Sequence, residues 1–272
     1  MTLKIIEAKS RRTLPDLGEV WQHRELGLLL TYRQIAGRYK QMLLGGLWAV
    51  LEPLATLALM TVVFGAVLRV DTNGFPYPVF AFAGLIPWLL FSRATQAIAG
   101  SLQENMALLS KVYFPRLILP MVALFRELFD SLITVAILII LAAVYGFFPS
   151  WKYLLILPAL AMVGLGAAAI GLWVAALMVR LRDIRPLLTI VLQAGMYLTP
   201  ILYSPSMVPE RFMPIYQLNP MYWAVELFRW ILLGQDFHLT PSFYVAMGLT
   251  LVLLVTGLFV FSVYEKVTVD VQ

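Results

Sequence analysis

Between residues 45 and 264 the chain is a succession of apolar runs joined by short polar stretches. A helix needs about 20 apolar residues to cross the hydrocarbon core of a bilayer. Runs near that length lie at 45–68, 79–99, 117–146, 153–179, 187–203 and 242–264. The fifth is short, and the third is long and holds Arg126, Glu127 and Asp130. The runs are continuously apolar and lack the alternation of barrel strands. The pattern therefore predicts an all-α integral membrane protein: a segment 1–44, a six-helix transmembrane region 45–264, and a tail 265–272.

Residues 17–42 follow a different rule. Trp21, Leu28, Tyr32, Ile35, Tyr39 and Met42 recur at spacings of three, four and seven, while His23, Arg24, Arg33, Gln34, Lys40 and Gln41 fall largely off that stripe. Such spacing marks one face of a helix. A basic amphipathic helix ahead of the first span suits a membrane surface, or else packs on protein.

The stretch 199–220, TPILYSPSMVPERFMPIYQLNP, is broken by Pro200, Pro205, Pro209, Pro214 and Pro220. Non-helical backbone survives at membrane depth only where protein or a water-filled cavity surrounds it. Two short helices in 204–234 that dip into the outer face and return fit this stretch better than a free loop. Pro209 with Glu210 reads as one helix start. Asn219 and Pro220 read as the cap and first residue of a second helix, 221–233, stopped by Gly234.

Composition makes lipid the solvent for much of the chain. Of 272 residues, 61% are hydrophobic and 13% charged, with mean hydropathy +0.85; that is too little charge for a soluble surface. The absence of cysteine excludes disulfides and thiolate metal sites, and His23 and His238 are far apart. No apolar core in the first 42 residues is long enough for a secretory signal.

Charge sets the expected orientation. Lys4, Lys9, Arg11, Arg12, Arg24, Arg33, Arg38, Lys40, Lys111, Arg116, Arg180, Arg182, Arg185 and Lys266 fall on one side of a six-span arrangement, and Arg69, Lys152, Arg211 and Arg229 on the other. The positive side is cytoplasmic, so both termini are expected inside and the proline-rich stretch outside.

Chemistry is sparse. There is no GxxxxGK[ST] phosphate loop, and the glycines of GLGAAAIG (164–171) suit close helix packing. Uphill transport would therefore use ATP hydrolysed by another chain, or an ion gradient. Ion coupling leaves ionisable groups in the membrane. Here these are Glu52, Arg93, Arg126, Glu127 and Asp130, of which Arg126 and Asp130, four apart, can neutralise each other. The connections ENMALLSKVYFPRLILP (104–120) and VRLRDIRP (179–186) are positive loops with proline-fixed ends, able to transmit force from a docked partner.

Four segments carry a resemblance. LLTYRQIAGRYKQMLLGGLWAVLEPL (29–54), LLSKVYFPRLILP (108–120), LRDI (181–184), and TPILY, VPE and LNPMYWAVELFRWILLG within 199–234 occur in order. Together they resemble the permease subunits of bacterial polysaccharide ABC exporters, the type-2 family that exports O-antigen, capsular polymer or teichoic acid. The resemblance implies six helices per subunit, a homodimer in the bacterial inner membrane, and two copies of a separate ABC ATPase. The permease itself would hold no cofactor and catalyse nothing, ATP and Mg belonging to the partner. The implied substrate is a lipid-linked polysaccharide, O-antigen foremost; membrane lipids are partners and nucleic acid is not.

The resemblance assigns Arg33, Arg38, Lys111, Tyr113, Phe114, Pro115, Arg116, Arg182 and Asp183 to the ATPase-coupling surface. Aromatic rings slide along the C–H faces of sugars, and Tyr hydroxyls and Trp N–H groups exchange hydrogen bonds with the hydroxyl rim. Tyr197, Tyr203, Tyr222 and Trp223 are therefore the channel or gate candidates. Two rivals stand beside this reading. An ion-coupled secondary transporter or glycan flippase would depend on Glu52 or Asp130, and a membrane enzyme of glycan assembly would need an extramembrane site.

Overall fold

The computed structural model describes residues 16–40, 47–148, 150–178, 181 and 183–267, and within them every regular element is a helix. The chain opens with α1 (Leu17–Gln22), capped by the Asp16 carboxylate, which accepts from the backbone N–H groups of Gly18 and Glu19 at 3.1 and 3.3 Å. After a break at His23, α2 runs from Arg24 to Lys40. The rest of the chain comprises α3 (Trp48–Met60), α4 (Tyr77–Glu104), α5 (Met106–Leu109), α6 (Ile118–Val144), α7 (Ile156–Met178), α8 (Ile184–Leu198), α9 (Met213–Leu218), α10 (Pro220–Leu233) and α11 (Pro241–Val267).

Five helices among the described residues are long and apolar enough to cross a membrane: Val50–Val67, Tyr77–Glu104, Ile118–Val144, Trp151–Met178 and Pro241–Tyr264. The first combines α3 with a π-helical turn, Thr61–Val67. The fourth prefixes α7 with a 3-10 turn, Trp151–Leu155. The run expected as the fifth of six spans instead forms α8, of 15 residues. At 1.5 Å per residue it is about 22 Å long, short of the ~30 Å core. Pro200 is the cause. A residue before proline is pushed out of the helical region, and Thr199 is extended, with φ −102° and ψ 138°.

α4 is the central element. In its most apolar stretch 78% of the residues are buried, against 11% for Val50–Val67. α7 approaches it through small residues. A Cβ on Gly171 would lie 2.7 Å from a methyl carbon of Ile98, so this crossing is as close as two backbones allow. The main core joins Phe80, Phe82, Leu85 and Ile86 of α4 to Leu138 of α6, Leu160 and Ala167 of α7, and Val225 and Phe228 of α10. By contrast, among described side chains α3 buries only Pro53 and Leu57, and α8 only Leu188 and Leu192. Both helices leave long apolar faces uncovered, with Leu51, Leu59, Leu187, Ile190, Val191 and Leu198 exposed.

Candidate functional site

Two regions gather the residues singled out in the sequence, one at each end of the bundle. At the first end α4 finishes, α7 finishes and α8 begins. Gln103 Nε2 donates to the Met178 carbonyl (2.9 Å), and Arg185 Nη2 to Glu104 Oε1 (3.1 Å). The link from α4 to α6 lies here. Its Phe114 is 3% exposed and belongs to a second buried cluster. That cluster joins Val20 of α1, Ile98 and Leu102 of α4, Ile118 and Val122 of α6, Leu172 of α7 and Phe261 of α11. A displacement of this link is therefore felt by four long helices, because packed cores move as units.

α2 lies alongside the first half of α6. A Cβ on Gly27 would meet Ile118 at 3.7 Å, Arg126 Nη1 donates to Gln34 Oε1 at 3.2 Å, and Arg38 pairs with Asp130. From Ile118 to Asp130 this contact follows α6 for about 18 Å. The outward side of α1 and α2 carries Leu17, Trp21, Leu28 and Tyr32, each more than 60% exposed. Trp21, Leu28 and Tyr32 of the periodic stripe thus face away from the protein, Ile35 is half-buried, and Val20, Leu26, Gly27, Leu30, Gln34 and Arg38 form the packed face.

The ionic pairing on α6 differs from the i, i+4 pair expected between Arg126 and Asp130. Arg126 reaches its neighbour Glu127 through Nε and Nη2 (3.0 and 2.9 Å), while Asp130 is held by Arg38 from α2. Arg38 Nη1 also approaches Glu127 Oε1 at 3.3 Å. Glu127 and Asp130 are buried, so a cation from another helix at this position offsets a costly desolvation. Glu127 Oε2 has no hydrogen-bond partner among the described residues and lies in a small crevice shared with Arg93 of α4. Arg93 in turn pairs with Glu52 of α3 at 2.8 Å. Six charged groups thereby connect α2, α6, α4 and α3.

The second region is the proline-broken stretch at the opposite end. The 3-10 turns Pro205–Met207 and Glu210–Phe212 lead into α9, and α10 follows. Asn219 Oδ1 caps α10 by accepting from Met221 N (3.0 Å), Pro220 is its first residue, and Gly234 ends it with φ +73°. The Asn219 amide also donates to Thr199 Oγ1 (3.0 Å), tying the start of α10 to the end of α8.

Arg229, grouped in the sequence with the outer-face cations, is completely buried. Its Nη1 donates to Glu226 Oε1 (3.0 Å) and its Nη2 to the Ile201 carbonyl (2.9 Å), with the guanidinium 3.7 Å from the Phe80 ring centroid. Tyr77 OH donates to the next carbonyl, Leu202, at 3.2 Å. These bonds satisfy backbone groups that the irregular 199–203 segment leaves without helical partners. The available signal was an arginine inside the apolar run of α10 with a glutamate three residues earlier.

The four aromatic candidates separate into two kinds. Tyr197 is 52% exposed, and its carbonyl accepts from Tyr203 OH (3.0 Å), which also meets Tyr216 OH (3.2 Å). Tyr222 and Trp223, expected to face a pore, are buried at 7% and 3% exposure. Trp223 stacks edge-on against Tyr222, Phe237 and Phe243 and donates to the Gln217 carbonyl at 2.7 Å. Rings enclosed in this way have no face to offer a passing sugar. At the other end Arg33, Lys111, Tyr113 and Asp183 are exposed, and Pro115 and Arg116 are partly so. Arg38 and Phe114 are turned into the bundle, and Arg182 lies outside the described residues.

Comparison with known proteins identifies the family. The family model described as ABC-2 type transporter matches residues 25–233. The chain is 29% identical to the O-antigen export system permease protein RfbA of Klebsiella pneumoniae over 241 residues, 88% of this chain and 91% of the relative. It is 29% identical to the RfbA permease of Myxococcus xanthus over 206 residues, covering 75% and 78% of the two chains. With the polysialic acid transport protein KpsM of Escherichia coli it shares 27% identity over 243 residues, 87% and 92%. The match takes in α2, the α6 charge cluster and the whole proline-broken stretch, and on it the chain belongs to the ABC-2 type transporter family.

Proposed function

We propose that this chain is the membrane subunit of an ATP-driven exporter that carries a lipid-linked polysaccharide, an O-antigen, across the bacterial inner membrane. The observation that carries the reading is the similarity across nearly nine-tenths of the chain to relatives named for O-antigen export and polysialic acid transport. In this reading the 1–44 segment and the 265–272 tail are cytoplasmic. α8 and the 199–203 turn together make the fifth of six crossings, and 204–234 is the outer re-entrant segment. The uncovered apolar faces of α3 and α8 support a homodimer, because exposed patches of that extent mark contact with lipid or another subunit. The exposed stripe Leu17, Trp21, Leu28 and Tyr32 supports a place for α1 and α2 at the membrane surface.

ATP and Mg belong to two copies of a partner ATPase, and this chain couples to their movement without catalysis of its own. Arg33, Lys111, Tyr113, Pro115, Arg116, Arg182 and Asp183 form the docking surface, with Phe114 carrying its motion into the buried cluster. Arg38 passes the motion of α2 to α6. Tyr197 and Tyr203 border the path of the glycan, and Tyr222 and Trp223 frame it from behind. The internal pairing of Glu52, Glu127 and Asp130 with arginines favours this role for them over an ion relay. Purification of the tagged chain in mild detergent, with subunit masses, tests the assembly: two permeases with two ATPases are expected. A lone chain that transports under an ion gradient without ATP would overturn the proposal.

A further inference from the structure

At the end that holds α10's C-terminus, a recess of 370 Å³ is lined by Asn73, Phe75, Pro205, Glu226, Gly234, Gln235 and Asp236. Its walls come from three separate places: the link between α3 and α4, the 3-10 turn at Pro205, and the end of α10. They are held in register. Asn73 adopts a left-handed backbone (φ +55°) and donates its N–H to Asp71 Oδ1 at 2.9 Å. Ser206 Oγ reaches Asn73 Oδ1 at 3.5 Å and Ser204 Oγ at 2.8 Å. Glu226 is positioned from beneath by the buried Arg229, which takes only Oε1. Among the described residues Glu226 Oε2, Gln235 and Asp236 make no side-chain hydrogen bond.

We infer that this recess binds one uncharged sugar unit of the exported glycan as it emerges; the inference rests on the exporter reading above. The size suits a small ligand, for which cavities of about 300–1,000 Å³ are usual. Carboxylates only accept hydrogen bonds, whereas amides both donate and accept. Glu226 and Asp236 therefore call for a ligand rich in O–H donors, and Asn73 and Gln235 serve its ring and linkage oxygens. The Phe75 ring supplies an apolar surface for the C–H face of a sugar. Arg229 balances the charge of Glu226, so Asp236 carries the net charge that disfavours a carboxylated sugar, because like charges at close range repel each other in a partly desolvated site. The recess is thus matched to a neutral glycan of the O-antigen kind and mismatched to a polysialic chain.

The test uses the full chain in nanodiscs with its ATPase. The probes are the glycan released by mild acid from the cells' own lipid carrier, and a sialic acid oligomer. Binding is read by saturation-transfer NMR, and export by surface display in a deletion strain. The expected result is saturable binding of the released glycan and none of the sialic oligomer. Phe75→Leu combined with Asp236→Asn weakens binding by at least ~10-fold and lowers surface glycan at unchanged protein level. Phe75→Tyr restores binding, and Asp236→Asn alone relaxes the exclusion of the sialic oligomer. Wild-type binding and export by the double variant would overturn the inference and leave the exporter reading intact, as would a released glycan that is itself acidic. A deletion strain that still displays its glycan would remove the exporter reading and this inference with it.

Discussion

Arg229→Met probes the proline-broken segment at its anchor. The side chain it replaces is wholly buried and bonds Glu226 at 3.0 Å and the Ile201 carbonyl at 2.9 Å. Methionine keeps the apolar stem and removes the charge. Breaking a buried ion pair from one side costs ~3–5 kcal/mol, because the remaining charge is left uncompensated. Glu226 retains 18% side-chain exposure, so water relieves part of that penalty. The orphaned Ile201 carbonyl adds ~1–3 kcal/mol. Taking the low end of both gives about 4 kcal/mol, charged to the local opening that releases α10 from the 199–203 turn. At ~1.4 kcal/mol per decade, amide-exchange protection between Met221 and Arg229 falls about a thousand-fold. Hydrogen exchange with mass spectrometry in nanodiscs measures it, with α6 as an internal reference. Glu226→Gln with Arg229→Met recovers part of the loss, since replacing both partners leaves no buried charge. A loss under ten-fold, or a double variant no better protected than the single, would refute the account.

Other substitutions test separate parts of the argument. Gly171→Leu drives a side chain into Ile98 and destabilises the α4–α7 crossing by at least ~1–3 kcal/mol, read as loss of thermal stability and of membrane protein level. Trp223→Ala empties a buried aromatic cluster at a cost of ~3–5 kcal/mol and lowers protein level. Tyr197→Ala leaves the level unchanged and reduces export; equal effects on level would contradict the contrast between buried and exposed rings. Arg38→Ala strips Asp130 of its partner from α2 and is expected to leave partner ATPase activity in place while export falls. Arg38→Lys retains most of the export, and unimpaired export in Arg38→Ala would remove α2 from the coupling path. Asn219→Ala loses a helix cap and the bond to Thr199, about 1 kcal/mol, checked by thermal unfolding.

Local signals were enough for α10. Asparagine, proline and a terminal glycine mark both ends because capping, fixed φ and left-handed freedom are properties of single residues. Length and apolarity likewise located the five long helices. α8 shows where such signals stop: the apolar run continues to Tyr203, yet Pro200 ends the helix at Leu198. The stripe on α2 was legible as a periodicity, but periodicity does not say whether an apolar face meets lipid or protein. Here the packed face combines Leu26 and Leu30 with Gln34 and Arg38, which meet the charges of α6, while Trp21, Leu28 and Tyr32 stay uncovered. Long-range partners stayed hidden for the same reason. Asp130 has a cation four residues away on its own helix, and only the tertiary contact shows that a different arginine holds it. Tyr222 and Trp223 carry the composition of a sugar-binding wall, and their burial is decided by packing against α9, Phe237 and the start of α11, which composition does not show.

The charge cluster on α6 bears on how the protein is made. Residues at the centre of a nascent segment are judged one helix at a time, and an aspartate or arginine there adds ~2.5–3.5 kcal/mol to insertion. α6 must bring Arg126, Glu127 and Asp130 past that step together. Ribosomal order gives it assistance: α2 is translated first, so Arg38 and Gln34 are already in place when α6 emerges. The acid that α6 cannot neutralise internally thus finds its counter-ion in a segment synthesised about ninety residues earlier. Placement of the third span is in this way tied to placement of the first helices, since without Arg38 that span carries two acids against the one base of Arg126.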